Sequence, residues 1–181
     1  PEDVQELIEA LLKSSSPIII AGQGVLYSQA TAELVEFAEL AQLPVMTTLA
    51  GKSAFPENHP LALGTGGLTA PLTVRRFLES TDFGLGIGTS FTRNTFTTPM
   101  PDGLTLGQVT NCSEDIGKDY EVGVGAVGEV RLVLQQMIEE YKRQDGPKQR
   151  GNGQGVAQKV AAVREEFKAE WEPRLTSDEV P

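Results

Sequence analysis

The stretch Ser16-Pro17-Ile18-Ile19-Ile20-Ala21-Gly22-Gln23-Gly24-Val25-Leu26 decides the fold of this 181-residue chain. Its apolar run is short, rich in β-branched residues and closed by glycines, which is typical of a buried strand in a parallel sheet. The glycines let the backbone turn sharply and let a ligand approach closely. A helical pattern then runs from about Gln29 to Ala41. We expect its N-terminal amides to point at the glycine turn, where they favour an anion.

The rest of the chain adds further strands and helices to this first unit. Apolar runs predict strands at 44–48, 82–88, 104–109 and 122–124, and helical periodicity predicts helices at 1–13, 71–79 and 128–143. A strand, a helix and a strand in this order imply a right-handed βαβ unit and a parallel α/β fold. The segment 49–67 is predicted to be irregular, and loops of this length are often functional.

The predicted strand at 82–88 alternates Phe83, Leu85 and Ile87 with Gly84, Gly86 and Gly88. Side chains alternate across a strand, so one face of it is apolar and the other is bare backbone. The bare face suits a helix or a ligand that lies unusually close.

The C-terminal part of the chain differs in composition from the predicted core. Residues 145–155 are rich in Gly, Gln, Lys and Arg and are predicted to be a linker. An amphipathic helix is expected at 156–171, with Trp171 as its packing anchor, followed by an extended polar tail at 173–181. The prediction is therefore a core domain at 1–144 and a linker with a helix at 145–181.

Composition excludes several classes of function. The net charge of −10 disfavours nonspecific binding to nucleic acid or to an anionic membrane. The single cysteine, Cys112, rules out an internal disulfide and fits a reducing cytoplasm, and one cysteine with one histidine does not make a structural zinc site. Since the sequence starts at Pro1 without a methionine, we expect a piece of a longer protein.

The loops that follow the predicted strands suit a nucleotide. Ligands of open parallel sheets bind beyond the carboxyl ends of the strands, where the strand order changes direction. The loops there are small, polar and glycine-bearing: Gly22-Gln23-Gly24, Thr48-Leu49-Ala50, Thr89-Ser90-Phe91 and Asn111-Cys112-Ser113. The other interpretation is that small residues only permit tight turns. The NAD fingerprint is incomplete, because Tyr27 stands where a third glycine is needed and Thr47-Thr48 stand where a ribose-binding carboxylate is needed.

Groups able to do chemistry are scarce. His59 lies between two prolines, where it is interpreted as a turn-stabilising residue, and Cys112 is interpreted as a partly buried, inert thiol. No set of residues supplies a nucleophile, a base and an oxyanion donor together. We therefore predict no catalytic residue and no metal site in this chain.

Two segments carry a resemblance to a known family. The first segment is Pro17 to Val25, and the second is Leu43-Pro44-Val45-Met46-Thr47-Thr48-Leu49-Ala50-Gly51-Lys52-Ser53-Ala54-Phe55-Pro56-Glu57-Asn58-His59-Pro60-Leu61-Ala62-Leu63-Gly64. They resemble the central domain of thiamine-diphosphate-dependent enzymes, especially acetolactate synthase large subunits. The similarity continues through Thr81 to Gly88, Asp115 to Lys118 and Gly128-Glu129, and so covers nearly the whole chain.

The resemblance implies a three-layer, Rossmann-like fold with a six-stranded parallel sheet, plus the C-terminal helix and linker. It implies that thiamine diphosphate and Mg²⁺ belong to the N- and C-terminal catalytic domains of a homo-oligomeric parent, a dimer or tetramer that binds no nucleic acid or membrane. The resemblance also implies that the central domain itself could bind FAD or ADP. The matching contact residues are Gly22 to Gly24, Thr48 to Ala50, Gly66-Gly67-Leu68 and Gly88 to Ser90.

The chain also departs from the flavin-binding members of that family. They carry an arginine and aspartates after the third core strand, where this chain has Thr89 to Asn94, and the nucleotide-binding aspartate after the next strand is replaced by Asn111-Cys112. The expected function is a non-catalytic central domain of a 2-keto acid decarboxylase or carboligase, with a working or a vestigial nucleotide site. The alternative is a stand-alone dinucleotide-binding module, either a flavin-binding electron-transfer domain or a sirtuin-like NAD domain.

Overall fold

A computed structural model describes residues 2–149 and 155–177, which form an α/β fold of three layers around one sheet. The six strands are Pro17–Ala21 (β1), Val45–Thr47 (β2), Ala62–Thr65 (β3), Phe83–Ile87 (β4), Thr105–Thr110 (β5) and Val124–Val127 (β6). Their order across the sheet is β3-β2-β1-β4-β5-β6, and each neighbouring pair is parallel. The predicted six-stranded parallel sheet is confirmed.

Helices cover both faces of the sheet. They are Glu2–Lys13 (α1), Gln23–Tyr27 (α2), Thr31–Ala41 (α3), Leu72–Ser80 (α4), Val130–Arg143 (α5), Gly146–Gln149 (α6) and Val156–Leu175 (α7). Successive β1 side chains serve opposite faces: Ile19 joins the apolar cluster under α1, α3 and α5, whereas Ile18 and Ile20 join the cluster under α4 and α7. Burial on both faces explains why β1 is a continuous apolar run.

The predicted helix at 29–41 starts too early. The chain instead forms the short α2 directly after Gly22, breaks at Gln29, and starts α3 at Thr31. Gln29 has a φ of 50°, a left-handed conformation that does not continue a right-handed helix. The helix that begins at the glycine turn therefore has only five residues.

The segment 49–67, predicted to be irregular, contains the edge strand β3. This strand has four residues, and Gly64 in its middle has a φ of 102°, so it lacks the alternating pattern by which a strand is found. The strand predicted at 122–124 lies later, at Val124–Val127.

The C-terminal helix differs from its prediction. It continues through Pro173 to Leu175, and the side chain that it buries fully is Val160, near its start. Trp171 is 38% exposed and stacks on Phe167 of the same helix with ring centroids 6.0 Å apart, so it does not anchor the helix to the core. Of the predicted linker and tail, residues 150–154 and 178–181 lie outside the described residues.

No helix in the described ranges is both long enough and apolar enough to cross a membrane.

The glycine turn after β1 packs directly on the end of β4. A methyl group on Gly22 would collide with the Gly88 carbonyl oxygen and would lie 2.7 Å from Thr89 Cα. A methyl group on Gly88, whose φ is 64°, would lie 2.7 Å from the backbone nitrogen of Val25. The space that a side chain at Gly22 would need is therefore occupied by the chain's own backbone.

Replacement of Gly22 tests this contact. We expect Gly22→Ala to lower the free energy of unfolding by about 3 kcal/mol, the upper part of the range for overpacking, because the colliding atoms are backbone and cannot rotate away. Urea unfolding followed by circular dichroism measures the effect. The matched control is Gly67→Ala, whose added methyl group has Phe96 O at 3.6 Å as its nearest neighbour. Equal stability of the two variants would contradict the backbone contact.

Candidate functional site

The sheet changes direction between β1 and β4. From β1 the chain proceeds outward to β2 and β3, and from β4 it proceeds the other way to β5 and β6. In open parallel sheets a crevice forms at this point, beyond the carboxyl ends of the two strands. A cavity of about 750 Å³, named here the switch-point pocket, lies there. Its size is within the range of about 300–1,000 Å³ that small-molecule sites occupy.

Most of the predicted site residues line the switch-point pocket. Those that do are Gln23, Gly24, Thr48, Leu49, Ala50, Gly66, Gly88, Thr89, Ser90 and Asn111. Four do not: Gly22, Gly67, Leu68 and Cys112. Gly22 faces the backbone of Gly88, and the thiol of Cys112 donates to Glu114 Oε2 at 3.1 Å. The structure thus brings the loops after five strands to one cavity, whereas Gly22 and Cys112 contact other parts of the protein.

Phe91 belongs to the strand-end loop that the sequence predicts to face the ligand, and it lines the pocket. Its ring lies against Gly86 so closely that a methyl group there would collide with it, and only 6% of the residue is exposed. At Gly86, the bare face of β4 is thus covered by a side chain from its own following loop. Phe91 has a φ of 49°, a conformation that costs a bulky residue about 1–2 kcal/mol. Packing of the ring offsets this strain.

Gln108 connects two loops of the pocket rim. It is fully buried on β5, and its Nε2 donates to the backbone oxygens of Thr89 and Asp115, both at 3.0 Å. Its Oε1 accepts from the Gly117 amide at 3.3 Å. A glutamine inside an otherwise apolar strand was the sequence signal for this residue, because a buried amide must find hydrogen-bond partners.

The lining carries one carboxylate and no basic side chain. Asp115 lines the pocket, and its Oδ1 lies 4.0 Å from Lys118 Nζ, which is outside the lining. Arg93 is also outside it, with its guanidinium 4.3 Å from the ring centre of Tyr120. The charge inside the cavity is therefore negative.

A second carboxylate stands behind the pocket wall. Glu129 caps α5 by accepting from the Leu132 amide at 3.0 Å. The pKa of Glu129 lies below its ordinary value, mainly because its carboxylate accepts a hydrogen bond from the Ser28 hydroxyl. The amides of Leu132 and Arg131 lower this pKa further. Because Ser28 lines the pocket, the carboxylate of Glu129 is separated from the pocket surface by this one residue.

The remaining chemical candidates lie outside the pocket. His59 accepts from the Leu61 amide through Nδ1 at 3.1 Å, and its Nε2 lies 3.1 Å from Glu39 Oε1. Its ring packs edge-on against Phe55, so it stabilises the turn in which it lies.

The described pocket offers few of the side chains that commonly act in acid–base or nucleophilic chemistry. The described residues contain no group of three His, Cys, Asp or Glu side chains able to hold a metal ion. The pocket lining contains no histidine, cysteine or lysine that would act as a base or nucleophile.

Removal of the Phe91 ring tests its packing against β4. We expect Phe91→Ala to lower the free energy of unfolding by about 3 kcal/mol, as for other buried phenylalanines. Phe96→Ala in the same loop is the matched control: Phe96 is 66% exposed, and its loss should change stability by less than about 0.5 kcal/mol. Both are measured by urea unfolding, and a Phe91 variant as stable as the control would show that the ring does not hold the loop.

The thiol of Cys112 should react slowly. Its hydrogen bond to Glu114 is the main cause that raises its pKa, and the charges of Glu114 and Asp115 act in the same direction. Since the thiolate is the reactive form, Glu114→Ala should lower the thiol pKa and speed alkylation by iodoacetamide at pH 8. Glu121→Ala, which leaves this hydrogen bond intact, is the control. Equal alkylation rates across pH 7–10 would contradict the assignment.

Comparison with known proteins agrees with this architecture. The family model "Thiamine pyrophosphate enzyme, central domain" matches residues 4–137, and thiamine pyrophosphate is another name for thiamine diphosphate. A probable acetolactate synthase large subunit of Methanococcus aeolicus is 31% identical over all of this chain, which spans 31% of that protein. A 3D-(3,5/4)-trihydroxycyclohexane-1,2-dione hydrolase of Clostridium perfringens is 38% identical over 58% of this chain and 17% of its own length.

The solved structures agree as well. Benzoylformate decarboxylase from Polynucleobacter necessarius superimposes with a TM-score of 0.65 and 28% identity, over 77% of this chain and 27% of that protein. The chain thus spans less than a third of the length of these relatives. The match over residues 4–137 and the shared fold show that this chain belongs to the thiamine pyrophosphate enzyme family, as a central domain.

Proposed function

We propose that this chain is the non-catalytic central domain of a thiamine-diphosphate-dependent 2-keto acid decarboxylase or carboligase of the acetolactate synthase type. The observation that carries the proposal is the similarity to an acetolactate synthase subunit along the whole chain. The parent enzyme would decarboxylate a 2-keto acid and pass the resulting acyl carbanion to an acceptor. Thiamine diphosphate supplies the chemistry of that step, together with Mg²⁺.

The residues of this chain do not fit the thiamine diphosphate and Mg²⁺ site. The diphosphate and its metal require carboxylate or carbonyl ligands around the cation. The described residues contain no cluster of three acidic, histidine or cysteine side chains, and the switch-point pocket has Asp115 as its one carboxylate. We therefore assign the cofactor to the flanking domains and derive no step of the reaction from this chain.

The role of the domain is then to space the two catalytic domains and to contribute to the contacts of a homodimer or homotetramer. Exposed apolar side chains support this part of the proposal: Leu49 and Leu68 near the pocket, and Phe167, Trp171 and Leu175 at successive turns of α7. Net negative charge disfavours nucleic acid and anionic membranes as partners, and a single cysteine suits the cytoplasm.

The switch-point pocket adds a ligand-holding role. Its volume and its lining of glycine, hydroxyl and aromatic residues suit a molecule of the nucleotide class, among which FAD and ADP are those that the family resemblance suggests. A ligand present at 100 times its Kd would stabilise the chain by about 2.7 kcal/mol. Stabilisation by NAD alone would instead favour the stand-alone dinucleotide-binding module.

An activity assay tests the non-catalytic role. We expect the 181-residue chain, mixed with thiamine diphosphate, Mg²⁺ and pyruvate, to release no CO₂ above the buffer control. A complete acetolactate synthase measured under the same conditions is the positive control. Turnover by the chain alone would refute the proposal, because it would place reacting groups within these residues.

A further inference from the structure

We infer that the switch-point pocket selects an uncharged nucleoside-type ligand, a heteroaromatic ring carrying hydroxyl groups, over the phosphorylated forms of the same ligand. This inference rests on the ligand-holding role proposed above and narrows it. It departs from FAD and ADP, whose binding needs a place for at least two phosphate groups.

Three backbone amides that would be expected to cradle a phosphate, those of Gly22, Gly24 and Gly88, are already occupied. In nucleotide-binding folds of this type, free amides of the glycine turn and of the helix after it bind the phosphate groups. Here Gly22 N donates to Ile87 O at 2.8 Å, Gly24 N to Gly88 O at 2.9 Å, and Gly88 N to Val109 O at 2.8 Å. The helix after the turn, α2, has five residues, so its dipole is small.

Side chains do not replace those amides. Where those three amides are unavailable, a phosphate depends more on arginine or lysine, and neither lines the pocket. Arg93 lies over the ring of Tyr120, and Lys118 is more than half exposed beside Asp115. Asp115 inside the pocket and Glu129 behind Ser28 both repel an anion. A phosphate placed here would lose its hydration and gain no cation from the lining, because Lys118 is paired with Asp115 and Arg93 lies over the ring of Tyr120.

The same lining suits an uncharged ring with hydroxyl groups. Tyr27 and Phe96 line the cavity with 78% and 66% of their surface exposed, so their rings are free to stack on a planar ligand. The hydroxyls of Thr48, Thr89 and Thr110 each accept a backbone amide, from Gly51, Phe91 and Cys112 respectively. Their O–H hydrogens remain to be donated to ligand oxygens.

Ligand pairs that differ by one phosphate test the inference. The 181-residue chain is titrated with adenosine against AMP, and with riboflavin against FMN, by calorimetry and flavin fluorescence. We expect each uncharged ligand to bind at least tenfold more tightly than its phosphorylated partner. In 1 M NaCl this ratio should fall several-fold, because salt screens the repulsion between the phosphate and the pocket carboxylates.

A variant pair identifies the source of the discrimination. Asp115→Asn should reduce the ratio at low salt at least threefold; the substitution also removes the charge that pairs with the exposed Lys118 at 4.0 Å. The control is Asp102→Asn, an exposed carboxylate outside the lining, which should leave the ratio unchanged. Thermal melting of both variants verifies that they are folded.

Two results would overturn the inference, and they are distinguishable. Binding of AMP or FMN as tight as that of the uncharged ligand would refute the selection while leaving the ligand-holding role intact. Absence of binding by all four ligands to a folded chain would refute the ligand-holding role as well, and would leave the exposed rings of the rim as a surface for the neighbouring domains.

Discussion

The rest of the structure depends on one contact, in which the backbone at the end of β1 packs on the backbone at the end of β4. Gly22 faces the carbonyl of Gly88, and Gly24 donates its amide to the same oxygen. This approach is closer than any side chain permits, so it requires glycine on both strands. It places β1 beside β4 at the centre of the sheet, where the strand order reverses and where the crevice for a ligand opens.

The same contact decides what the crevice is able to bind. Gly22 and Gly24 donate their amides to the chain's own backbone, so these two groups take part in packing at the turn. The surface of the pocket offers hydroxyl, amide, aromatic and apolar groups with one carboxylate. This composition is the basis of the proposed preference for an uncharged ligand.

The described lining has Asp115 as its one carboxylate and holds no histidine, cysteine or lysine, which is a ground on which we propose a supporting role for this domain. Its pocket is held open by Gln108, which links two rim loops, and is floored by the ring of Phe91. Both residues act through packing and hydrogen bonds alone. A domain of this kind contributes geometry to a larger protein, and the apolar side chains left exposed on its rim and on α7 are the surfaces available for that purpose.

The sequence by itself determined the elements whose side-chain period is strong: the buried runs of β1, β4 and β5, the helices α1 and α5, and the parallel order that they imply. It also located ten of the pocket residues, because strand ends in a parallel sheet meet at one edge. Only the tertiary structure decided that Gly22 meets Gly88, that Phe91 folds back on Gly86, that β3 pairs at the sheet edge, and that α7 leaves Trp171 half exposed. The physical reason is the distance along the chain over which each feature is decided. The periodicity of a sequence shows which face of one helix or strand is buried. The features just named depend on contacts between segments that are far apart in the sequence, and a local pattern does not show which segments meet.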